Sequence, residues 1–180
     1  MNFRNKKILL VDSDLYIANI MKSILEAFEV SSVKITPSNK DGLNLLKRYR
    51  YDCVFIDNLL QENSGLELVE QIRKSVAENI QETPVILCTA YTGLNTLLKA
   101  RDVGVTEILA KPVSPEQIMQ KLGNALFKPR EFIVSEQFLG PDRRRRTRKA
   151  DGIQERRGAA AENTASEKSG GDHRRAQTDA

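Results

Sequence analysis

Four residues suited to phosphoryl transfer each follow a short apolar segment of the sequence: Asp12, Asp57, Thr89 and Lys111. A carboxylate can attack phosphorus as a nucleophile, and clustered carboxylates suit Mg²⁺, which also binds phosphate oxygens. A lysine adds a fixed positive charge, and a threonine hydroxyl can donate to a phosphoryl oxygen. Each residue alone has an ordinary explanation, such as a helix cap or a solvated charge. Their recurrence after four different segments favours one common site for a phosphoryl group and a magnesium ion.

The elements that must position these residues alternate along residues 7–126. Short apolar segments predict five strands, at Lys7–Val11, Ser32–Thr36, Cys53–Asp57, Val85–Thr89 and Val105–Leu109. Helical periodicity occupies the intervals, as in the apolar positions between Ile17 and Phe28, and capping boxes begin at Ser64 and Ser114. Five strands alternating with five helices predict a parallel sheet covered on both faces. Functional residues of such sheets gather at the carboxyl ends of the strands, where all four candidates lie.

Four stretches, in order and spacing, resemble the signature stretches of the receiver domains of two-component response regulators. They are Ile8–Asp12, Val54–Asp57, Ile86–Ala90 and Ala110–Pro112. The resemblance covers residues 6–127. It implies a five-stranded parallel doubly wound sheet of the flavodoxin-like (βα)5 type, with a cis bond between Lys111 and Pro112.

The resemblance also implies a role for each candidate residue. Asp57 would accept the phosphoryl group from a histidine kinase or a phosphotransfer protein. Asp12, Asp57 and the backbone carbonyl of Leu59 would bind Mg²⁺. Thr89 and Lys111 would contact the phosphoryl group. The chain would then be a single-domain response regulator that acts through protein–protein interaction and is not itself an enzyme.

Three positions depart from the family pattern. Ser13 stands where a second acidic metal ligand is usual, so we expect weaker Mg²⁺ binding unless Asp14 takes over that role. Gln61 replaces a proline that commonly follows the phosphoacceptor. Ile108 replaces the aromatic residue three positions before the lysine. Because a β-branched side chain has few rotamers, we expect a smaller conformational response to phosphorylation than an aromatic would give.

Two other functions fit parts of the pattern. The D-x-D sequence of Asp12 and Asp14 after an apolar strand resembles that of the haloacid-dehalogenase phosphatases, in which the first aspartate would be the nucleophile. That hypothesis leaves Asp57 without a role. The altered positions Ser13 and Ile108 instead fit a pseudo-receiver adaptor that works without phosphorylation.

The C-terminal part differs in composition. Residues 128–140 are apolar and predict an extension that packs on the domain or docks to a partner. Residues 141–180 carry 11 Lys/Arg and 7 Asp/Glu with few large apolar residues, which predicts a basic disordered tail. Its cluster Arg143–Arg146 favours electrostatic docking to an acidic protein or membrane surface over nucleic-acid binding.

The apolar segments also bear on location and on the cysteines. None approaches the length of about 18 residues that indicates a membrane span. The segment after Lys7 is too short for the core of a signal peptide, so we expect a cytoplasmic protein. Cys53 and Cys88 each lie inside an apolar segment, which predicts core packing rather than reactivity.

Overall fold

The computed structural model describes residues 1–60 and 64–144, and its central element is a five-stranded parallel sheet. The strands are β1 (Lys7–Val11), β2 (Ser32–Thr36), β3 (Cys53–Asp57), β4 (Val85–Thr89) and β5 (Glu107–Ala110). Their order is β2-β1-β3-β4-β5, so the direction of winding reverses between β1 and β3. Ligands of open parallel sheets bind at such a reversal, outside the carboxyl ends of the strands.

The predicted strands are confirmed, with one shift in bounds. The first four begin and end where the sequence predicts them. The fifth is predicted at Val105–Leu109 but begins two residues later and ends one residue later, at Ala110. Val105 still belongs to the preceding turn, because its N–H donates to the carbonyl of Ala100 at 3.0 Å.

Six helices occur within the described residues. They are α1 (Leu15–Ala27), α2 (Asn39–Arg48), α3 (Gly65–Arg73), α4 (Glu78–Gln81), α5 (Leu94–Asp102) and α6 (Pro115–Phe127). Five of them match the predicted alternation. The sixth, α4, is a single turn and too short to show helical periodicity. No helix in this part of the chain is long and apolar enough to cross a membrane.

Side chains at the helix starts explain where two of these helices begin. Ser114 and Gln117 form the predicted capping box of α6, with Pro115 at the first helical position. At α3 the hydroxyl of Ser64 accepts from the N–H of Leu66. Both serines therefore satisfy backbone donors that a helix start leaves unpaired.

The sheet is covered on both faces, as the alternation of strands and helices predicts. On one face, Ile8 and Leu10 of β1 pack in a core with residues of α1 and α6. On the other face, Leu9 and Val11 pack in a second core with residues of α2, α3 and α5. Every residue of β3 and β4 is buried, as expected for strands with covered faces.

The two cysteines lie in the first of these cores. Burial raises the pKa of the Cys53 thiol well above its ordinary value and raises that of Cys88 to about 12. Both thiols are therefore neutral and inert at physiological pH, which agrees with the predicted packing role.

The apolar segment after α6 forms a β-hairpin that packs on the domain. Its strands are β6 (Phe132–Ser135) and β7 (Phe138–Pro141), paired antiparallel. β7 ends one residue beyond the boundary predicted after residue 140. The rest of the predicted tail, from residue 145 onward, lies outside the described residues, as does Gln61.

The hairpin is attached through the turn between α5 and β5. Gly104 in that turn has a φ of +87°, and an added Cβ would lie 2.6 Å from the carbonyl oxygen of Leu139. Arg130 donates to the carbonyls of Thr106 and Asp142. Close backbone approach and these hydrogen bonds hold the hairpin at the edge opposite the carboxyl ends of the strands.

Arg73, at the end of α3, is a buried cation beneath the hairpin. Its guanidinium donates to the carbonyls of Gly104, Gln81 and Thr83 and stacks 5.5 Å from the ring centroid of Phe132. Burial lowers its pKa to about 10, so the side chain stays charged at neutral pH. Carbonyl dipoles therefore stabilise this charge and join α3, α4 and the α5–β5 turn.

Candidate functional site

The four sequence-predicted residues come together at the carboxyl edge of the sheet. Asp12 directly follows β1, and Asp57 is the last residue of β3. Thr89 ends β4, and Lys111 directly follows β5. Parallel pairing aligns these ends, because Val11 pairs with Ile56 and Thr89 pairs with Ala110.

Lys111 lies between the two carboxylates. Its Nζ is 2.9 Å from Oδ1 of Asp57 and 3.4 Å from Oδ2 of Asp12. Asp12 and Asp57 are 4% and 9% exposed, so little water screens the two ion pairs. Two negative charges and one positive charge leave the group with an excess negative charge that favours a further cation.

The protonation of the site follows from burial and from this lysine. Burial raises the pKa of Asp12, although the N–H of Asp14 and the charge of Lys111 oppose the rise. For Lys111, burial acts to lower the pKa. The hydrogen bond to Asp57 and the charge of Asp12 outweigh it, so the pKa of Lys111 is raised. The lysine is therefore charged at neutral pH, whereas burial opposes the ionisation of Asp12.

Thr89 lies at the site but bonds elsewhere. It is 1% exposed. Its hydroxyl donates to the carbonyl of Tyr91 at 3.3 Å and accepts from the Tyr91 N–H at 3.0 Å. The carbonyl of Thr89 accepts from the backbone N–H of Lys111 at 2.9 Å. To donate to a phosphoryl oxygen, the hydroxyl would have to break its hydrogen bond to the Tyr91 carbonyl. The sequence analysis did not anticipate this contact between Thr89 and Tyr91.

The loop after β3 is held close to Asp57. The N–H of Gly65 donates to the carbonyl of Asn58 at 3.1 Å, and Leu59 pairs with Ser64 as an isolated bridge. An added Cβ on Gly65 would lie 2.1 Å from the carbonyl oxygen of Asp57. Only glycine permits this approach of α3 to the end of β3.

The donor set fits a magnesium ion with few protein ligands. The described residues contain no group of three or more His, Cys, Asp or Glu side chains that could hold a metal. Asp14 caps α1, because its carboxylate accepts from the N–H groups of Tyr16 and Ile17. Asp12 and Asp57 thus remain as a carboxylate pair, and Mg²⁺ commonly binds through one or two carboxylates while keeping several waters.

Two further features match the sequence analysis. The Lys111–Pro112 bond is cis, as the resemblance implies. Ile108 is half-buried in β5, packs against the second core and pairs with Leu87. Position 108 therefore carries no aromatic ring, as the sequence analysis noted.

Residues 8–123 match the family model described as the response regulator receiver domain. The match covers more than half of the chain. The chain belongs to this family. A curated relative, the uncharacterized transcriptional regulatory protein YkoG of Bacillus subtilis, is 31% identical over 119 residues. The aligned part is 66% of this receiver chain but 50% of the relative. Two other curated relatives, the probable C4-dicarboxylate response regulator DctR of Priestia megaterium and the response regulator protein PilR of Pseudomonas aeruginosa, are covered over 52% and 26% of their length.

Solved structures agree with the fold of the receiver. The chemotaxis response regulator CheY4 of Vibrio cholerae matches with a TM-score of 0.63 and 24% identity, over 68% of this chain and 99% of that one. The receiver domain of the sensor histidine kinase PA1611 of Pseudomonas aeruginosa matches with a TM-score of 0.61 and 22% identity, over 68% of this chain and 98% of that one. The latter structure holds a magnesium ion in its active site cleft.

The sequence analysis did not identify two residues that shape the receiver site. Tyr91 binds Thr89, and the carbonyl of Thr36 accepts from the N–H of Asp12 at 3.1 Å. Most of these contacts involve backbone atoms, which every residue type carries. The residue types at these positions therefore gave no signal.

Proposed function

We propose that this receiver is phosphorylated on Asp57 by a histidine kinase or a phosphotransfer protein. The observation that carries the proposal is the pair of contacts from Lys111 to Asp57 and Asp12 at the carboxyl edge of the sheet. The family membership and the magnesium ion in the PA1611 receiver domain add support.

The reaction requires one bond to form and one to break. An oxygen of the Asp57 carboxylate attacks the phosphorus of a phosphohistidine on the partner. The new O–P bond forms as the N–P bond breaks, and the electron pair of the N–P bond remains on the imidazole nitrogen. Asp57 is 9% exposed at an edge that faces solvent, so a donor can reach it without unfolding of the core.

Lys111 and Thr89 would stabilise the transferred group. The ammonium 2.9 Å from Oδ1 of Asp57 can follow the negative charge as it moves onto the phosphoryl oxygens. The hydroxyl of Thr89 can exchange the Tyr91 carbonyl for a phosphoryl oxygen. That exchange frees the backbone of the β4–α5 loop, so the signal would leave the domain near α5.

Asp12, Asp57 and the carbonyl of Leu59 would hold Mg²⁺. When bound, the ion would neutralise charge on the phosphoryl oxygens and on the carboxylate pair. Ser13 carries no charge and Asp14 is engaged as the cap of α1. We therefore expect weaker Mg²⁺ affinity than in a receiver with two adjacent acids.

We further propose a cytoplasmic single-domain regulator that works through protein–protein contacts rather than as an enzyme. The match to the receiver-domain family supports a signalling role of this kind. A pseudo-receiver adaptor is the second candidate. Ser13 in place of an acid and the half-buried Ile108 favour it.

Labelled acetyl phosphate with Mg²⁺ tests the proposal. The protein should gain one acid-stable, hydroxylamine-labile phosphoryl group, and Asp57→Ala should abolish the gain. Asp14→Ala is the matched control, since it removes an exposed carboxylate at the same edge. Label that persists in Asp57→Ala and is lost in Asp12→Ala would favour the phosphatase hypothesis. No label in the wild type would favour the adaptor.

A further inference from the structure

The start of α2 touches the loops that carry both carboxylates of the site, although none of the predicted site residues lies there. The carbonyl of Thr36, at the end of β2, accepts from the N–H of Asp12 at 3.1 Å. Three residues later, Nδ2 of Asn39 donates to the carbonyl of Ser64 at 3.1 Å. Thr36 and Asn39 are 4% and 7% exposed. This buried segment therefore links the loop of Asp12 to the loop of Asp57.

Ser64 in turn is tied to the residues that directly follow Asp57. Its hydroxyl donates to Oδ1 of Asn58 at 3.4 Å, and it pairs with Leu59 as an isolated bridge. The next residue, Gly65, donates its N–H to the carbonyl of Asn58 at 3.1 Å. A displacement of the Ser64 carbonyl would therefore move Asn58 and Leu59 with it.

The amide of Asn39 is only half satisfied. Its Nδ2 donates to Ser64, but its Oδ1 is buried and has no hydrogen-bond partner among the described residues. A buried acceptor without a donor destabilises the folded state. Stability alone therefore does not account for an asparagine here, and the bond to Ser64 is the contact that its side chain contributes.

We propose that Asn39 is a positioning residue of the phosphoacceptor site. It holds Asn58, Leu59 and Ser64 in place through the Ser64 carbonyl, and so sets the position of the Leu59 carbonyl next to Asp57. The inference rests on the proposed function, in which that carbonyl is a ligand of Mg²⁺. Loss of the Asn39 donor should therefore weaken Mg²⁺ binding.

The test compares Asn39→Ala and Asn39→Leu with the wild type. Leucine keeps the branched shape but removes both the donor and the unsatisfied acceptor. The Kd for Mg²⁺, measured from backbone amide chemical shifts, should rise about three- to tenfold in both variants, the range for the loss of one hydrogen bond. The melting temperature of Asn39→Leu should not fall below that of the wild type. Asn19→Ala is the control, because the exposed Asn19 amide donates to the carbonyl of Leu15 within α1, so the variant removes a side-chain hydrogen bond that does not reach the loop after Asp57.

A second readout separates positioning from a structural role. The Mg²⁺ concentration that half-saturates phosphorylation by acetyl phosphate should rise in the Asn39 variants, while the rate at saturating Mg²⁺ stays near that of the wild type. A lower melting temperature with unchanged Kd and half-saturation would overturn the inference. A wild type that binds Mg²⁺ but gains no phosphoryl group would refute the proposed function alone, because the Kd comparison still decides the role of Asn39.

Discussion

Replacing Lys111 with methionine removes the cation that the two buried carboxylates share while keeping most of the side-chain length. The side chains of Asp12 and Asp57 are 5% and 11% exposed, and that of Lys111 is 22% exposed. Removing one partner of a buried ion pair costs about 3–5 kcal/mol. Because the lysine partly faces water, we expect the lower end, about 3 kcal/mol at pH 7.5. For a domain of this size that corresponds to a fall of about 10 °C in melting temperature.

The loss in Lys111→Met should depend on pH in a definite direction. Burial already raises the pKa of Asp12. Without the lysine, which opposes that rise, Asp12 should bind a proton still more tightly in the folded than in the unfolded state. Stability then rises as pH falls through the folded-state pKa. The difference from the wild type should therefore be smaller at pH 5 than at pH 7.5.

Thermal melts of the wild type and the variant at both pH values, with and without Mg²⁺, provide the assay. A cation that binds only the folded state raises its stability. Mg²⁺ should stabilise Lys111→Met more than the wild type, because the two carboxylates of the variant have lost the positive charge of the lysine. Lys121→Met is the matched control. The Nζ of Lys121 lies 2.9 Å from Oε2 of Glu107, outside the site, and the side chains of Lys121 and Glu107 are 24% and 13% exposed. This control should lose less stability, and Mg²⁺ should stabilise it only as much as it stabilises the wild type. Equal, pH-independent losses in both variants would refute the reasoning.

Three further perturbations test separate parts of the account. Ser13→Asp should tighten Mg²⁺ binding about tenfold, or about 1.4 kcal/mol, in an amide-shift titration. An unchanged Kd would mean that another group already fills the place of the second acidic metal ligand. Asp14→Ala, its control, should lose about 1 kcal/mol of stability with the cap but leave the Kd unchanged. Ile108→Tyr should enlarge the amide-shift response of residues 89–111 to beryllofluoride, and a response confined to the phosphoacceptor loop would contradict this. Arg73→Met should lose about 3 kcal/mol in urea melts because buried carbonyls lose their donor, and a loss under about 1 kcal/mol would contradict the role assigned to that cation.

The parts of the fold that follow from local pattern could be predicted from the sequence. Strands with both faces buried read as continuous apolar segments, and the helices between them show a periodic apolar face. The predicted start of β5 lies two residues too early, because Val105 is as apolar as a strand residue but donates its N–H to the carbonyl of Ala100 in the preceding turn. The hairpin was not predicted as such, because Phe132 and Gly104 meet parts of the chain that are distant in sequence.

The candidate site likewise contains residues that could be predicted from the sequence and residues that could not. Its charged side chains were predictable because parallel pairing brings the carboxyl ends of strands to one edge, whatever lies between them. The sequence left Asp14 open between a metal ligand and a helix cap, and the structure shows its carboxylate bound to backbone N–H groups at the start of α1. Tyr91 could not be found in advance, since its contacts to Thr89 use the backbone N–H and carbonyl of Tyr91. Ser64 was predicted only as the start of a helix, and the bond from Asn39 to its carbonyl was not predicted.

Identification of the phosphorylated residue tests the central claim most directly. Borohydride reduces an aspartyl phosphate to homoserine, so the protein can be treated with acetyl phosphate and Mg²⁺, reduced and mapped by peptide mass spectrometry. The account predicts homoserine at position 57, dependent on Mg²⁺ and reduced in amount by Lys111→Met. Homoserine at position 12, or at neither position under saturating Mg²⁺, would contradict it.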